Sequence, residues 1–177
     1  VAAKYIGMVT IAKATITVPG SPVKAYTYKG SAISHGYTAP TGSAIETTGT
    51  TGSATDAGTY NIVLKLTSAS NYQWSDGSVT NKTVNWKINP KSVAVTWGTT
   101  VTFTYNGQAQ APTASATSGI TGETINITRT TETNAGSYTS TASISSVTGG
   151  RARKENYTLT GTTKAFTINK ANATMTD

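Results

Sequence analysis

The chain lacks most of what chemistry is usually built from. Its 177 residues include no cysteine, one histidine and seven acids. Without Cys there is no disulfide framework, no thiolate metal site and no thiol nucleophile. An active site needs a nucleophile, a base and a group to orient them, and His35 is the only imidazole. A lone His in a small β-unit is expected as a surface or packing residue. The acids Glu46, Asp56, Asp76, Glu123, Glu132, Glu155 and Asp177 are scattered, with no pair spaced as an acid/base couple. Calcium needs several clustered oxygen ligands, and Ser75-Asp76-Gly77-Ser78 reads more simply as a turn. No catalytic residue, metal site or cofactor is expected. Long apolar runs are missing too, so no membrane insertion is expected. The opening VAAKYIGMVT has no basic segment leading into an apolar one, as a signal peptide would, and no initiator Met, which suggests an excised fragment.

What is present points to strands. Thr is the commonest residue, and 17 glycines punctuate the chain. Thr, Val, Ile and Tyr suit the half-buried surface of a sheet, while Gly, Asn and Asp supply turns. No stretch keeps apolar residues at helical spacing for three turns. The expected class is all-β.

The net charge of +7 comes mostly from single basic residues, with one cluster at Arg151, Arg153 and Lys154. A nucleic-acid footprint would be a patch or stripe with interleaved aromatics, so no nucleic-acid partner is expected. The cluster reads as a solvated loop.

Self-similarity sets the organisation. Ala25-Tyr26-Thr27-Tyr28-Lys29-Gly30-Ser31-Ala32 answers to Thr102-Phe103-Thr104-Tyr105-Asn106-Gly107-Gln108-Ala109 at a shift of 77. Asp56-Ala57-Gly58-Thr59-Tyr60 answers to Asn134-Ala135-Gly136-Ser137-Tyr138 at 78. Asn71-Tyr72 matches Asn156-Tyr157 at 85, so the second copy holds an insertion, and it contains Gly149-Gly150-Arg151-Ala152-Arg153-Lys154. Val84-Asn85-Trp86-Lys87-Ile88 matches Lys164-Ala165-Phe166-Thr167-Ile168 at 80. A boundary element recurs as Ile11-Ala12-Lys13-Ala14, Ile88-Asn89-Pro90-Lys91 and Ile168-Asn169-Lys170-Ala171. Two repeats are therefore expected over 12–89 and 90–170. Residues 1–11 read as the last strand of a preceding repeat and 171–177 as the first strand of a following one. Joints this short favour a semi-rigid rod over flexible linkers.

Alternation places strands inside each repeat. Val84, Trp86 and Ile88 share one face, Phe166 and Ile168 keep that role in the second copy, and Tyr60, Ile62, Leu64 and Leu66 alternate likewise. Repeats of about eighty residues with short strands fit two tandem immunoglobulin-like β-sandwich domains. In such sandwiches a Tyr at the start of a late strand hydrogen-bonds back to nearby backbone. Tyr60 and Tyr138 are expected in that role, with Asp56 or Asn134 capping the turn and Gly58 or Gly136 supplying a backbone angle that other residues resist.

These landmarks resemble the MBG-type repeats, bacterial immunoglobulin-like units also described as YDG or YGX type. The resemblance rests on Tyr28-Lys29-Gly30 and Tyr105-Asn106-Gly107. It continues through the Asp56–Tyr60 and Asn134–Tyr138 stretches, the Asn-Tyr pairs and the aromatic-x-Ile strands. It implies an extracellular setting, on a bacterial cell surface or secreted. There the segment would be a non-enzymatic stalk, spacer or adhesive module whose partners are neighbouring repeats. An accessory domain of a secreted carbohydrate-active enzyme differs only in its neighbours.

The competing expectation is a module for host or cell-wall glycan, or for a polyanion. Sugar-binding faces display aromatics. Trp74 answers to Leu159 and Trp86 to Phe166, an exchange that favours burial. Trp97 aligns with Gly20, has no apolar counterpart, and is the best candidate for exposure or for packing at a joint. The binding candidates are thus Trp97, Arg151, Arg153 and Lys154. Unpaired strand edges at the ends invite head-to-tail association.

Overall fold

The computed structural model describes Gly7 and residues 9–173. Among these the protein is all-β, with one 3₁₀ turn at Lys154–Asn156 as its only helical piece. Packing divides the chain into two compact units interleaved along the sequence. The first comprises residues up to Ala25, Ile33–Ala54 and Thr59–Lys87; the second comprises Tyr26–Ala32, Thr55–Gly58 and the chain from Ile88 on. Residues 26–32 and 55–58 thus belong to the second unit, although the repeat places them within 12–89.

The earlier strands are β1 (Ala14–Ile16), β2 (Ala25–Thr27), β3 (Ile33–Ser34), β4 (Ser43–Glu46), β5 (Ser53–Ala54), β6 (Gly58–Leu66), β7 (Tyr72–Trp74) and β8 (Lys82–Asn89). β1 lies parallel to β7, with Ile16 opposite Trp74. A four-stranded sheet has the order β2-β8-β6-β4, and β3 pairs with β5. Side chains alternate across a strand, and the burial follows. Along β8, Val84, Trp86 and Ile88 are buried, as are Ile62 and Leu64 on β6.

In the first unit Trp86 is wholly enclosed. The Tyr60 ring packs 4.9 Å from it and the His35 ring 6.4 Å. A buried indole needs an acceptor: Trp86 Nε1 donates to Thr51 O at 3.0 Å and Trp74 Nε1 to Thr80 O at 2.8 Å. Both tryptophans are core residues, as their exchange with Phe and Leu indicated. His35 is half-buried, and its Nδ1 accepts from the Tyr37 N–H.

The later strands are β9 (Lys91–Ala94), β10 (Thr96–Trp97), β11 (Thr102–Thr104), β12 (Ala114–Ser115), β13 (Thr124–Arg129), β14 (Gly136–Thr148), β15 (Tyr157–Thr160) and β16 (Thr163–Asn169). β9 runs parallel to β15. The larger sheet is β11-β16-β14-β13, with β11 parallel to β16 and β14 antiparallel to both its neighbours. β10 pairs with β12, and Gln110 bridges Glu132. Phe166 and Ile168 of β16 are buried with Ala111, and Val101, Phe103 and Tyr138 pack against them.

The pairings recur in chain order, β1 with β7 and then β9 with β15, β2-β8-β6-β4 and then β11-β16-β14-β13. One element differs in reach. β4 and β6 pair as far as Ser43 opposite Leu66, whereas β13 and β14 continue to Thr124 opposite Thr148, with a register shift after Asn126. β14 has 13 residues where β6 has 9.

One expectation is corrected. Neither Gly58 nor Gly136 takes a positive φ. Gly136 is needed for space instead: a Cβ there would lie 2.7 Å from Tyr138 Oη and 2.9 Å from Cζ, because the ring folds back over it. At the chain's two ends, the described residues Gly7, Val9–Ile11 and 171–173 carry no strand, and Val9 and Ile11 are almost fully exposed. The remaining positions of 1–11 and 171–177 lie outside the described residues.

Candidate functional site: a carboxylate cluster in the second unit

The extra length of the β13–β14 hairpin ends in a tight corner. Ser118 Oγ donates to Glu123 O at 2.6 Å and accepts from the Ile120 N–H at 3.1 Å, closing the turn that leads into β13. Across the corner, Gly149 and Gly150 have φ of 73° and 48°. A Cβ on Gly149 would stand 2.0 Å from Gly122 O, and one on Gly150 would stand 2.4 Å from Glu123 Cγ. Only glycine fits at either position, for both angle and space.

Glu123 sits at this corner, 8% exposed. Its Oε1 accepts from Tyr28 Oη at 2.5 Å and from the Arg151 N–H at 3.2 Å, and its Oε2 accepts from Tyr157 Oη at 2.6 Å. The two tyrosine rings meet edge to face, 5.5 Å apart at 79°. Beside them, Asp56 receives Arg151 through two bonds, Nε to Oδ1 at 3.1 Å and Nη2 to Oδ2 at 2.6 Å. Arg153 Nη1 reaches Oδ2 at 3.3 Å, and Asn156 Nδ2 reaches Oδ1 at 3.0 Å. Asn156, buried, accepts the Ala57 N–H at 2.7 Å. Segments 26–32, 55–58, 118–123 and 151–157 are thereby tied together.

The electrostatics follow from these partners. Burial pushes the Tyr28 phenol up to about 12, and its bond to the Glu123 carboxylate adds to this; Tyr157 is raised further for the same reasons. Burial works to raise the Glu123 carboxyl, but the bonds from Tyr157, Tyr28 and the Arg151 N–H outweigh it and hold the group below its ordinary value. The Arg151 guanidinium draws Asp56 down to about 2 against the opposing effect of burial, with help from Asn156 and Arg153. At neutral pH both carboxylates are acceptors and both phenols donors. A hydrogen bond to a charged group is worth about 1.5–3 kcal/mol, against about 0–1 kcal/mol for an exposed ion pair. The arginine side chains are about half exposed, at 49% and 55%. The Tyr–Glu–Tyr bonds therefore carry most of the strength.

The structure brings some of the candidates singled out in the sequence together and separates others. Tyr28, Asp56, Arg151 and Arg153 meet in the cluster. Gly30 lies at its edge, where a Cβ would press to 2.5 Å from Ile120 Cγ2. The basic loop is solvated on one side, as expected, yet its two guanidinium groups converge on Asp56, which the sequence does not foretell. Lys154 is exposed and opens the 3₁₀ turn. Trp97 stands apart: half-buried, paired with Ala114, its Nε1 donating to Gly161 O at 2.8 Å. Its indole is anchored within its own unit. A groove of about 360 Å³ is lined by Gly98, which follows Trp97 in the chain, with Phe103, Ala111, Pro112 and threonines; Trp97 itself is not among the lining residues. Tyr138 Oη donates to Asn134 O at 3.1 Å, four residues upstream, as a corner tyrosine should. Tyr60 packs on Trp86. Tyr105 and Gly107 lie at the surface.

Sequence reasoning missed Glu123, Asn156 and Tyr157. The signal was present in part: Asn156-Tyr157 is a repeat landmark, and Glu123 stands where the second copy gains length. Among the described residues, no three His, Asp or Glu side chains gather as a metal set, and no helix is long and apolar enough to cross a membrane. No known family model matches the chain, and no curated protein does.

Proposed function

We propose that the chain is a segment of a tandem array of MBG-type immunoglobulin-like sandwiches. In this reading it serves, without catalysis, as a stalk, spacer or adhesive module of a large bacterial protein that is secreted or held at the cell surface. The observation that carries the reading is the recurrence of strand pairing at the spacing of the sequence repeat. β1 with β7 and β9 with β15 are both parallel, and a four-stranded sheet follows the same order in each copy. The cluster supports it, since its carboxylates and phenols are engaged with one another and knit chain segments together. A glycan array and a heparin column test it together. The expected result is no array signal, and no heparin retention beyond a modest salt concentration of about 0.15 M, where the screening length is about 8 Å.

A second reading, a glycan- or polyanion-binding module, draws on the half-buried Trp97, on the groove that begins at the next residue, Gly98, and on the half-exposed arginines. A saturable array signal lost in Trp97→Ala, or retention lost in Arg151→Ala, would establish it in place of the first.

A further inference from the structure

The second unit contains two Tyr-x-Gly turns of the same build. Tyr28 N–H donates to Asn89 O at 2.9 Å and Tyr105 N–H to Asn169 O at 2.8 Å. Gly30 and Gly107 follow with φ of 77° and 76°. Backbone and sequence agree, but surroundings do not. Tyr28 is 2% exposed, under the Glu123 corner, while Tyr105 is 43% exposed. A Cβ on Gly30 would collide with Ile120, whereas one on Gly107 would meet nothing within 4 Å. The same turn is thus covered by the Glu123 corner in one copy and uncovered in the other, with the space over its glycine left open.

We infer that the Tyr105–Gly107 turn is a docking surface for another copy of the second repeat, residues 90–169, whose Glu123 corner would cover it as the chain's own corner covers Tyr28. The occupant is specified by chemistry: a carboxylate reaching the Tyr105 hydroxyl, and an aliphatic side chain seated over Gly107 as Ile120 is over Gly30. Asn134 stands where the cluster has Asp56, so no carboxylate waits there for the arginine pair. The contact would rest on the Tyr–Glu bond and on the close approach at glycine. The chain's own Glu123 is already taken by Tyr28 and Tyr157, so the corner must come from an additional copy. This inference rests on the tandem-array reading.

The test appends a duplicate of residues 90–169 directly after Asn169, which recreates the Ile-Asn-Pro-Lys joint found at residues 88–91. The duplicate carries its own Tyr105→Phe, so that peptides can be told apart. Nitration by tetranitromethane, read by mass spectrometry, follows each tyrosine. In the unextended chain Tyr105 should react fast and Tyr28 slowly. In the extended chain Tyr105 should slow to the rate of Tyr28, and Glu123→Ala in the duplicate should restore fast reaction. Asn134→Asp in the original copy should deepen the protection by readmitting the arginines. A duplicate that folds, by circular dichroism, while Tyr105 stays fast would overturn the docking and leave the spacer reading standing. A duplicate that stays unfolded would also count against it, since a preformed surface should favour its partner's folding. Glycan binding by the unextended chain, lost in Tyr105→Ala, would assign the surface to a ligand instead. Binding lost only in Trp97→Ala would sink the spacer reading without touching this inference.

Discussion

Tyr28 and Tyr105 occupy matching places in the repeat, share a backbone conformation, and live in opposite surroundings. The local sequence fixes the turn; a distant hairpin decides whether it is covered. What differs between the copies is the extra length of β14 and the glycine pair beyond it, and the polar cluster is built on that extension. A shared motif here specifies a shape, and an unshared insertion specifies what the shape touches.

Four perturbations sharpen or break the contrast. Tyr28→Ala removes a fully buried ring and should cost about 3–5 kcal/mol in denaturant unfolding, whereas Tyr105→Ala should stay within about 0.5 kcal/mol; equal costs would erase the distinction. Glu123→Ala leaves two buried hydroxyls without their acceptor and should cost about 2–3 kcal/mol, with no counterpart at the bare turn. Gly30→Ala and Gly107→Ala share the strain of a positive φ, about 1–2 kcal/mol, but only the first also pushes on Ile120, so its melting temperature should fall further. Tyr138→Phe, losing one bond to Asn134 O, should cost about 1 kcal/mol.

The smallest effect is acid-dependent. Asp56 titrates lower in the folded protein than in the unfolded chain, so the folded state binds fewer protons and acid favours unfolding. The stability it contributes is complete above about pH 4, the ordinary Asp value, and is lost as pH falls through about 2. Asp56→Asn makes this site like Asn134 and should flatten that part of the acid unfolding profile. An unchanged profile would mean that the arginines add nothing.

Much of the fold was legible because its signals are local. Alternation at Val84, Trp86 and Ile88 reports a strand with one buried face, whatever it packs against. The exchange of Trp86 with Phe166 reports burial in the same way. The cluster was not legible, because Asp56, Glu123 and Arg151 are brought together by the chain's path and not by sequence spacing. Gly136 shows a subtler failure. A glycine before a corner tyrosine suggests a special angle, yet the constraint is the returning phenol ring, which no turn propensity encodes.

The parallel pairing of β11 with β16 has a mechanical consequence. β16 is the last strand of its copy and β11 stands near the beginning. A tug on the chain from both ends would slide these two strands lengthwise past each other. Every hydrogen bond between Thr102–Thr104 and Thr167–Asn169 would then be strained at the same moment. An antiparallel pair held by its adjacent ends would open one bond at a time. The second copy is wired to resist tension as a lap joint does, along its whole overlap.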